Sequence, residues 1–224
     1  MSDGFQDGPL RDAIAAQAEK LALPLGERPL GQLVRHARAV HDDDHLHLTS
    51  ITDADLFVRR HLGESLVGAQ FIEPGTAGVH LDMGTGNGYP GLVMQLVRPE
   101  LDSWLVEASK KKSTFLQGMV DGLELPRTQI VDRQVQRLDD LRAHGFDEKI
   151  RVLTTRAMGG WERIVPRLAS AMDADGQLLL WAGEEVETVR KRSVWQRFTL
   201  DRKFALPDRD QSWLWLFRVA PSVC

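Results

Sequence analysis

Cysteine is nearly absent: the 224 residues contain one, Cys224, at the very end. A lone thiol forms no internal disulfide, and without a C-x-x-C pair there is no zinc or dithiol redox motif. Long apolar runs are missing too. No stretch approaches the ~20 residues that cross a bilayer, so no membrane segment is expected. The opening Met1-Ser2-Asp3-Gly4-Phe5-Gln6-Asp7 also lacks the basic-then-apolar order of a secretory signal. A reducing, cytoplasmic setting is the expectation. Positive charge is in deficit, with a net charge of −4 and a pI near 6.0. That excludes coating nucleic acid through bulk charge. A nucleic-acid partner would have to meet a local basic face, for which Arg59-Arg60, Lys110-Lys111-Lys112, Arg133 with Arg137, and Arg190-Lys191-Arg192 are candidates. Each also reads as a solvated helix face.

What is present is an ordinary globular balance, 42% hydrophobic and 27% charged, enough for a sizeable core. Residues 8–22 place Leu10, Ile14, Ala18 and Leu21 at helical spacing, and a second helix is expected from about Pro29 to Val40. The polar run His41 to His47 breaks the pattern. Its three histidines match no established ligand spacing and read as a solvated loop, so no metal site is expected. Thr52 or Asp53 caps a third predicted helix reaching Gly68, with Leu56, Phe57, His61 and Leu62 inward. From residue 78 strands alternate with helices: 79–82, 103–107, 129–131, 150–154 and 177–181, with helices at 92–97, 110–123 and 161–172 between them. Such alternation implies right-handed crossovers and a mostly parallel sheet. A helix around 184–195 precedes two runs, 198–205 and 213–220, too close for a crossover helix, which should form an antiparallel hairpin. Trp213 to Phe217 reads as a buried strand rather than an aromatic platform. The expected class is α/β, with the layout of class I methyltransferases. Residues 1–70 form a helical extension and 71–224 the ligand-binding domain.

The strongest signal is Leu81-Asp82-Met83-Gly84-Thr85-Gly86-Asn87-Gly88-Tyr89-Pro90-Gly91, between the first strand and its helix. Open α/β sheets bind ligands at that edge, and glycines let the backbone approach them. Pro90 suits a first helical turn. A phosphate-binding P-loop requires Lys-Ser/Thr at the end, which is absent. The dinucleotide fingerprint Gly-x-Gly-x-x-Gly, counted from Gly84, meets Tyr89 at its sixth place. Asp-x-Gly-x-Gly-x-Gly fits instead, the loop that holds S-adenosylmethionine. Asp82 suits a cationic sulfonium better than an anionic pyrophosphate. Glu107, ending the second strand, is placed to accept from both ribose hydroxyls; capping the next helix is the alternative.

These residues resemble the signature of the GidB (RsmG) family, which methylates guanine N7 in small-subunit ribosomal RNA. His47-Leu48-Thr49-Ser50-Ile51, Arg60-His61-Leu62-Gly63-Glu64-Ser65-Leu66, Lys111-Lys112-Ser113-Thr114-Phe115-Leu116 and Thr155-Arg156-Ala157 resemble further family stretches, in order and spacing. The resemblance implies an S-adenosylmethionine site built from Asp82, Gly84, Thr85, Gly86, Gly88, Tyr89 and Glu107. Gly84 and Tyr89 would line the methionine end, Gln134 and Val135 would flank the adenine, and Arg156 would stand at the active-site edge. A salt bridge from Arg156 to a carboxylate such as Asp82 is the structural alternative. Ribosomal RNA or the small ribosomal subunit is the implied partner.

Three places depart from the family pattern. Arg133-Gln134-Val135 replaces Arg-x-Glu, leaving only backbone contact there. Trp181-Ala182-Gly183 stands where a lysine usually precedes the glycine. The chain stops at Pro221-Ser222-Val223-Cys224 without a basic tail. On the guanine reading, N7 already carries a lone pair, so catalysis works by alignment and no general base is required. Tyr89 or a nearby aromatic would then stack on the base. The rival expectations are a paralogue acting on a small molecule or protein, with Trp181 lining an apolar acceptor pocket, and a non-catalytic donor-binding module.

Overall fold

A computed structural model of the chain describes residues 5–207 and 209–220. The expectations resting on Met1 to Gly4 and on Pro221 to Cys224 lie outside those residues. Seven strands form one sheet in the order β3-β2-β1-β4-β5-β7-β6. They are β1 (Gly78–Met83), β2 (Leu101–Val106), β3 (Thr128–Val131), β4 (Ile150–Arg156), β5 (Met172–Ala182), β6 (Phe198–Ala205) and β7 (Trp213–Val219). The first five pair in parallel, and β7 runs antiparallel between β5 and β6. The terminal hairpin therefore forms as expected, and Leu214, Trp215, Leu216 and Phe217 are buried in it.

Side chains alternate across the sheet as the pleat demands. On β5, Leu179 and Trp181 enter one apolar cluster while Leu178 and Leu180 enter the other. The first cluster joins the sheet to α1 (Asp7–Lys20), α2 (Glu27–His41), α5 (Gly91–Val97) and α6 (Lys110–Gly122). The second joins it to α7 (Leu138–Arg142), α8 (Trp161–Leu168) and α9 (Glu185–Val189). β1 is apolar toward the second cluster through Val79, Leu81 and Met83, and presents buried His80 and Asp82 on its alternate positions.

The third predicted helix is continuous but not uniform. Asp53 is its cap, accepting from the Leu56 N–H at 2.7 Å. α3 (Ala54–Phe57) then widens into a π-helical turn, Val58–Gly63, before α4 (Glu64–Gln70). Such turns admit one extra residue per turn and recur at functional sites; this one carries Arg60 and His61.

Several boundaries differ from the sequence reading. α8 stops at Leu168 and β5 begins at Met172, because the chain turns through a short 3₁₀ segment, Ala169–Ala171. The helix expected over 184–195 is only α9 followed by a 3₁₀ turn, Ser193–Trp195. Only Val186 and Val189 of that run are apolar and buried before the basic stretch 190–192, and Trp195 is drawn inward to donate to the Glu162 carbonyl. Pro90 is the N-cap of α5 rather than a first-turn residue. α7 was not expected; a five-residue helix is shorter than a periodic pattern can reveal.

Trp181 is 5% exposed, and its indole N–H donates to the Glu64 carbonyl at 3.1 Å. The six-membered ring lies over Gly68, where a Cβ would come within 2.5 Å of Cζ2. Gly68→Ala is therefore expected to cost about 1–3 kcal/mol through overpacking, read by urea unfolding. In a Trp181→Phe background, which removes the clashing indole atoms and leaves the flexible end of Met94 at 2.7 Å, the cost should shrink. Equal costs in both backgrounds would contradict the contact.

Candidate active site

A cleft of about 500 Å³ opens at the C-terminal ends of β1, β2, β3 and β4. One wall is the glycine turn. Gly84, Gly86 and Gly88 hold φ of 73°, 62° and 94°, values that favour glycine. The Gly84 and Thr85 N–H groups both donate to the Val106 carbonyl at 3.0 Å, which ties the turn to the end of β2. Gly84, Thr85 and Gly86 line the cleft.

Gly88 does not line it. A Cβ there would meet Leu92 at 2.6 Å and His36 at 2.9 Å, so this glycine serves the packing of the turn onto α2 and α5. Gly91 likewise leaves room for the Asp82 carboxylate, 2.6 Å from where its Cβ would be.

Asp82 is also displaced from its expected role. It is fully buried and absent from the cleft walls. One oxygen accepts from the Thr154 hydroxyl at 2.6 Å. Burial pushes this carboxyl up to about 6, partly offset by the Thr154 hydrogen bond, while its second oxygen is buried without a hydrogen-bond partner beside Thr85 and Gly91. The carboxylate braces the turn from below and reaches a ligand only through its field.

Glu107 lines the cleft beyond β2. Its Oε2 accepts from the Gly86 N–H at 3.0 Å and its Oε1 from the Ser109 N–H at 2.7 Å. Ser109 is the N-cap of α6, so the capping alternative describes half of what this carboxylate does. An ionised carboxylate offers about four acceptor positions, which leaves each oxygen a lone pair. Gln134 and Val135 border the far end, with Arg133 and Lys112 beside them. Among the other basic candidates, Lys110 pairs with Asp132, Arg137 with Asp140 and Arg190 with Glu187.

Arg156 ends β4 and reaches the cleft with a side chain 12% exposed. Its Nη2 donates to the Arg60 carbonyl at 2.9 Å and lies 3.3 Å from Glu64 Oε2. The ion partner is Glu64 rather than Asp82. Nη1 is buried without a partner.

Tyr89 is 4% exposed and stacks against His36 and His61, with ring centroids 4.5 and 5.0 Å away. No ring face remains for a base to stack on, which corrects the stacking expectation; only part of the side chain borders the cleft. Trp181, packed on α4, forms no acceptor pocket.

Sequence reasoning missed the struts that hold the turn. His36 Nε2 lies 2.8 Å from the Asn87 carbonyl, and Asn87 Nδ2 donates to the Leu48 carbonyl at 2.9 Å. Leu48 and His61 thereby join the cleft wall, as does Met158, which lies over Gly84. His61 had one legible signal, its inward place on an apolar helical face. His36 sits among Leu33, Val34 and Ala37 on a like face that went unused. Of the three histidines in the 41–47 loop, His41 pairs with Asp42 and stacks on Phe5. Among the described residues no group of His, Cys, Asp and Glu could hold a metal ion, and no helix is long and apolar enough to cross a membrane.

The chain matches the family model GidB, rRNA small subunit methyltransferase G, over residues 31–200, a stretch that ends before the turn between β6 and β7. It is similar to a ribosomal RNA small subunit methyltransferase G from Halorhodospira halophila, 31% identical over 140 residues, or 62% of each chain. A protein of the same description from Dichelobacter nodosus is 29% identical over 191 residues, 82% of this chain and 87% of that one. The chain spans 62% and 66% of the length of the first two relatives it matches, from H. halophila and Sorangium cellulosum. Among solved structures, M. capricolum TrmK in complex with S-adenosyl-homocysteine aligns with a TM-score of 0.53 at 12% identity, covering 72% of this chain and 71% of that one. That likeness shows the fold, a class I methyltransferase sheet.

Burial pushes His36 down to about 4, and His61 and His80 down to about 3. Their stabilising effect is complete above the unfolded value near 6.5 and is lost as pH falls toward the folded values. Asp82 works the other way, since its raised pKa favours the folded state as pH falls through about 6. Three histidines outweigh one aspartate, so the unfolded chain binds about two more protons near pH 5. Stability should fall on acidification from pH 7 to 5, with a steepest slope of roughly 3 kcal/mol per pH unit. Urea midpoints at the two pH values check this; a flat or rising profile contradicts neutral buried imidazoles.

Proposed function

The chain belongs to the GidB family of rRNA small subunit methyltransferases, and on that footing we propose that it transfers a methyl group from S-adenosylmethionine to N7 of a guanine in small-subunit ribosomal RNA. The observation that carries the proposal is the unbroken cleft running from the glycine turn and Glu107 to Arg156. The division into a helical extension to residue 70 and a donor-binding domain from residue 71, and a cytoplasmic setting, belong to the same proposal.

The residues present suit a cationic donor. The turn stands over the buried Asp82 carboxylate, and Glu107 retains lone pairs for two ribose hydroxyls while its fixed hydrogen bonds hold it in place. Gln134 and Val135 would border the adenine, Val135 through backbone and apolar contact. Gly84, Thr85 and Gly86 would meet the amino-acid end, with Tyr89 at its margin. Asp82 and Gly88 act through the shape of the turn. When bound, the donor supplies a methyl group on positively charged sulfur.

The chain's remaining task is orientation. Guanine N7 carries a lone pair and needs no deprotonation to act as a nucleophile, so the reaction calls for alignment rather than a general base. Arg156 is held by Glu64 and the Arg60 carbonyl with one N–H group uncommitted, and such a fixed fork can orient a guanine carbonyl or a phosphate. Lys112 and Arg133, on the rim, would meet the RNA backbone.

Labelled donor incubated with immature small subunits should leave label in the RNA at a guanine; no label in RNA defeats the proposal. Glu107→Gln should weaken donor binding by roughly 10- to 100-fold, the value of hydrogen bonds to a charged acceptor. Calorimetry reads this directly, and unchanged affinity would remove Glu107 from the donor site.

A further inference from the structure

Glu64 is 2% exposed, yet it holds two arginines at once. Its Oε2 lies 3.3 Å from Arg156 Nη2, and its Oε1 lies 2.5 Å from Arg209 Nε. Arg209 comes from the turn between β6 and β7, beyond the family-matched stretch, while Glu64 opens α4 and Arg156 ends β4. Glu64 divides its charge between two guanidiniums, and Arg156 also lies in the field of the buried Asp82 carboxylate.

Arg209 does not itself line the cleft, but through Glu64 it is one side chain removed from Arg156, which does. Arg156 Nη1 is buried without a partner, and the Arg209 side chain is 34% exposed. A guanidinium one-third exposed, fixed through its Nε to a buried carboxylate, thus stands one side chain away from the cleft.

We propose that Arg209 binds a backbone phosphate of the RNA acceptor next to the methylated base, with Glu64 fixing its guanidinium beside Arg156. The geometry of a planar fork suits phosphate oxygens. The position also supplies acceptor-side charge in a chain where Trp181 is packed into the core. The donor's carboxylate is the competing anion, but it belongs by the glycine turn, whereas Arg209 stands on the far side of Glu64, toward the hairpin. This inference rests on the RNA-methylating reading.

The test compares wild type with Arg209→Gln and Arg209→Lys. Three quantities are measured: KM for immature small subunits across a salt series, donor affinity by calorimetry, and folding by thermal melting. For Arg209→Gln the KM should rise roughly tenfold and the salt slope should fall by about one phosphate contact, with donor affinity unchanged. Arg209→Lys, which keeps the charge but loses the fork, should keep the salt slope and raise KM by a smaller factor. If Arg209→Gln fails to melt cooperatively, Arg209→Lys decides: a wild-type KM overturns the contact. Weakened donor binding in a folded Arg209→Gln would assign the arginine to the donor carboxylate and overturn the proposal. If wild type methylates RNA and Arg209→Gln matches it in KM and salt slope, the inference alone fails. If wild type methylates no RNA, the functional reading has failed and takes the inference with it.

Discussion

A carboxylate shut away from water beneath a glycine turn is the constraint around which this site is arranged. Asp82 could not be ionised there without a donor, and the neighbouring strand β4 supplies one in Thr154. Facing an ionised Asp82, the Thr154 hydroxyl must donate its proton, at 2.6 Å, and therefore accepts from His80 Nε2 at 2.8 Å. The His80 Nδ1 is then left to accept from the Ser103 hydroxyl at 3.0 Å. One hydrogen-bonded chain thus crosses β2, β1 and β4 under the turn and fixes the tautomer of a buried histidine. Above it, Gly91 has no side chain because the carboxylate occupies that space. The glycines of the motif divide accordingly: Gly84 and Gly86 open the backbone to the cleft, while Gly88 and Gly91 let the turn sit close to its supports.

The helical extension completes what the sheet begins. His36 and Leu48 hold Asn87, His36 and His61 flank Tyr89, and the π-helical turn brings the Arg60 carbonyl to Arg156. The wall of the cleft is therefore made by both halves of the chain. Buried imidazoles suit this work because burial keeps them neutral and able to pack as flat rings.

The sheet was legible because its signals are periodic and local. Strand-to-helix alternation placed the first five strands, and the spacing of 198–205 from 213–220 left room only for a hairpin. Gly84, Thr85 and Gly86 follow from the motif, Glu107 from its place at the end of a strand, and Gln134, Val135 and Arg156 from the family resemblance; all of these line the cleft, and Gly88 does not. What the sequence concealed were contacts between distant segments. Asp82 reads as a ligand group from the Asp-x-Gly-x-Gly-x-Gly pattern and its charge, whereas its burial depends on the flanking strands β2 and β4. Trp181 looked available for a pocket, since nothing local tells that Gly68 lies beneath its ring. A carboxylate such as Asp82, on the neighbouring strand, is the structural alternative the sequence offers for Arg156, while the partner observed is Glu64, which also holds Arg209 of the hairpin turn. A π-helical turn has no side-chain period that distinguishes it from an α-helix over six residues.

The account stands on the cleft beside the Asp82-supported turn accepting the sulfur cofactor. Titrating purified protein with S-adenosylhomocysteine in a calorimeter measures that most directly. The structure predicts saturable binding at one site per chain, with the affinity abolished when Gly84 is replaced by a bulky residue that would collide with Met158 across the cleft. Absence of any binding heat from both the product and the methylated donor, with a protein that melts cooperatively, would contradict it.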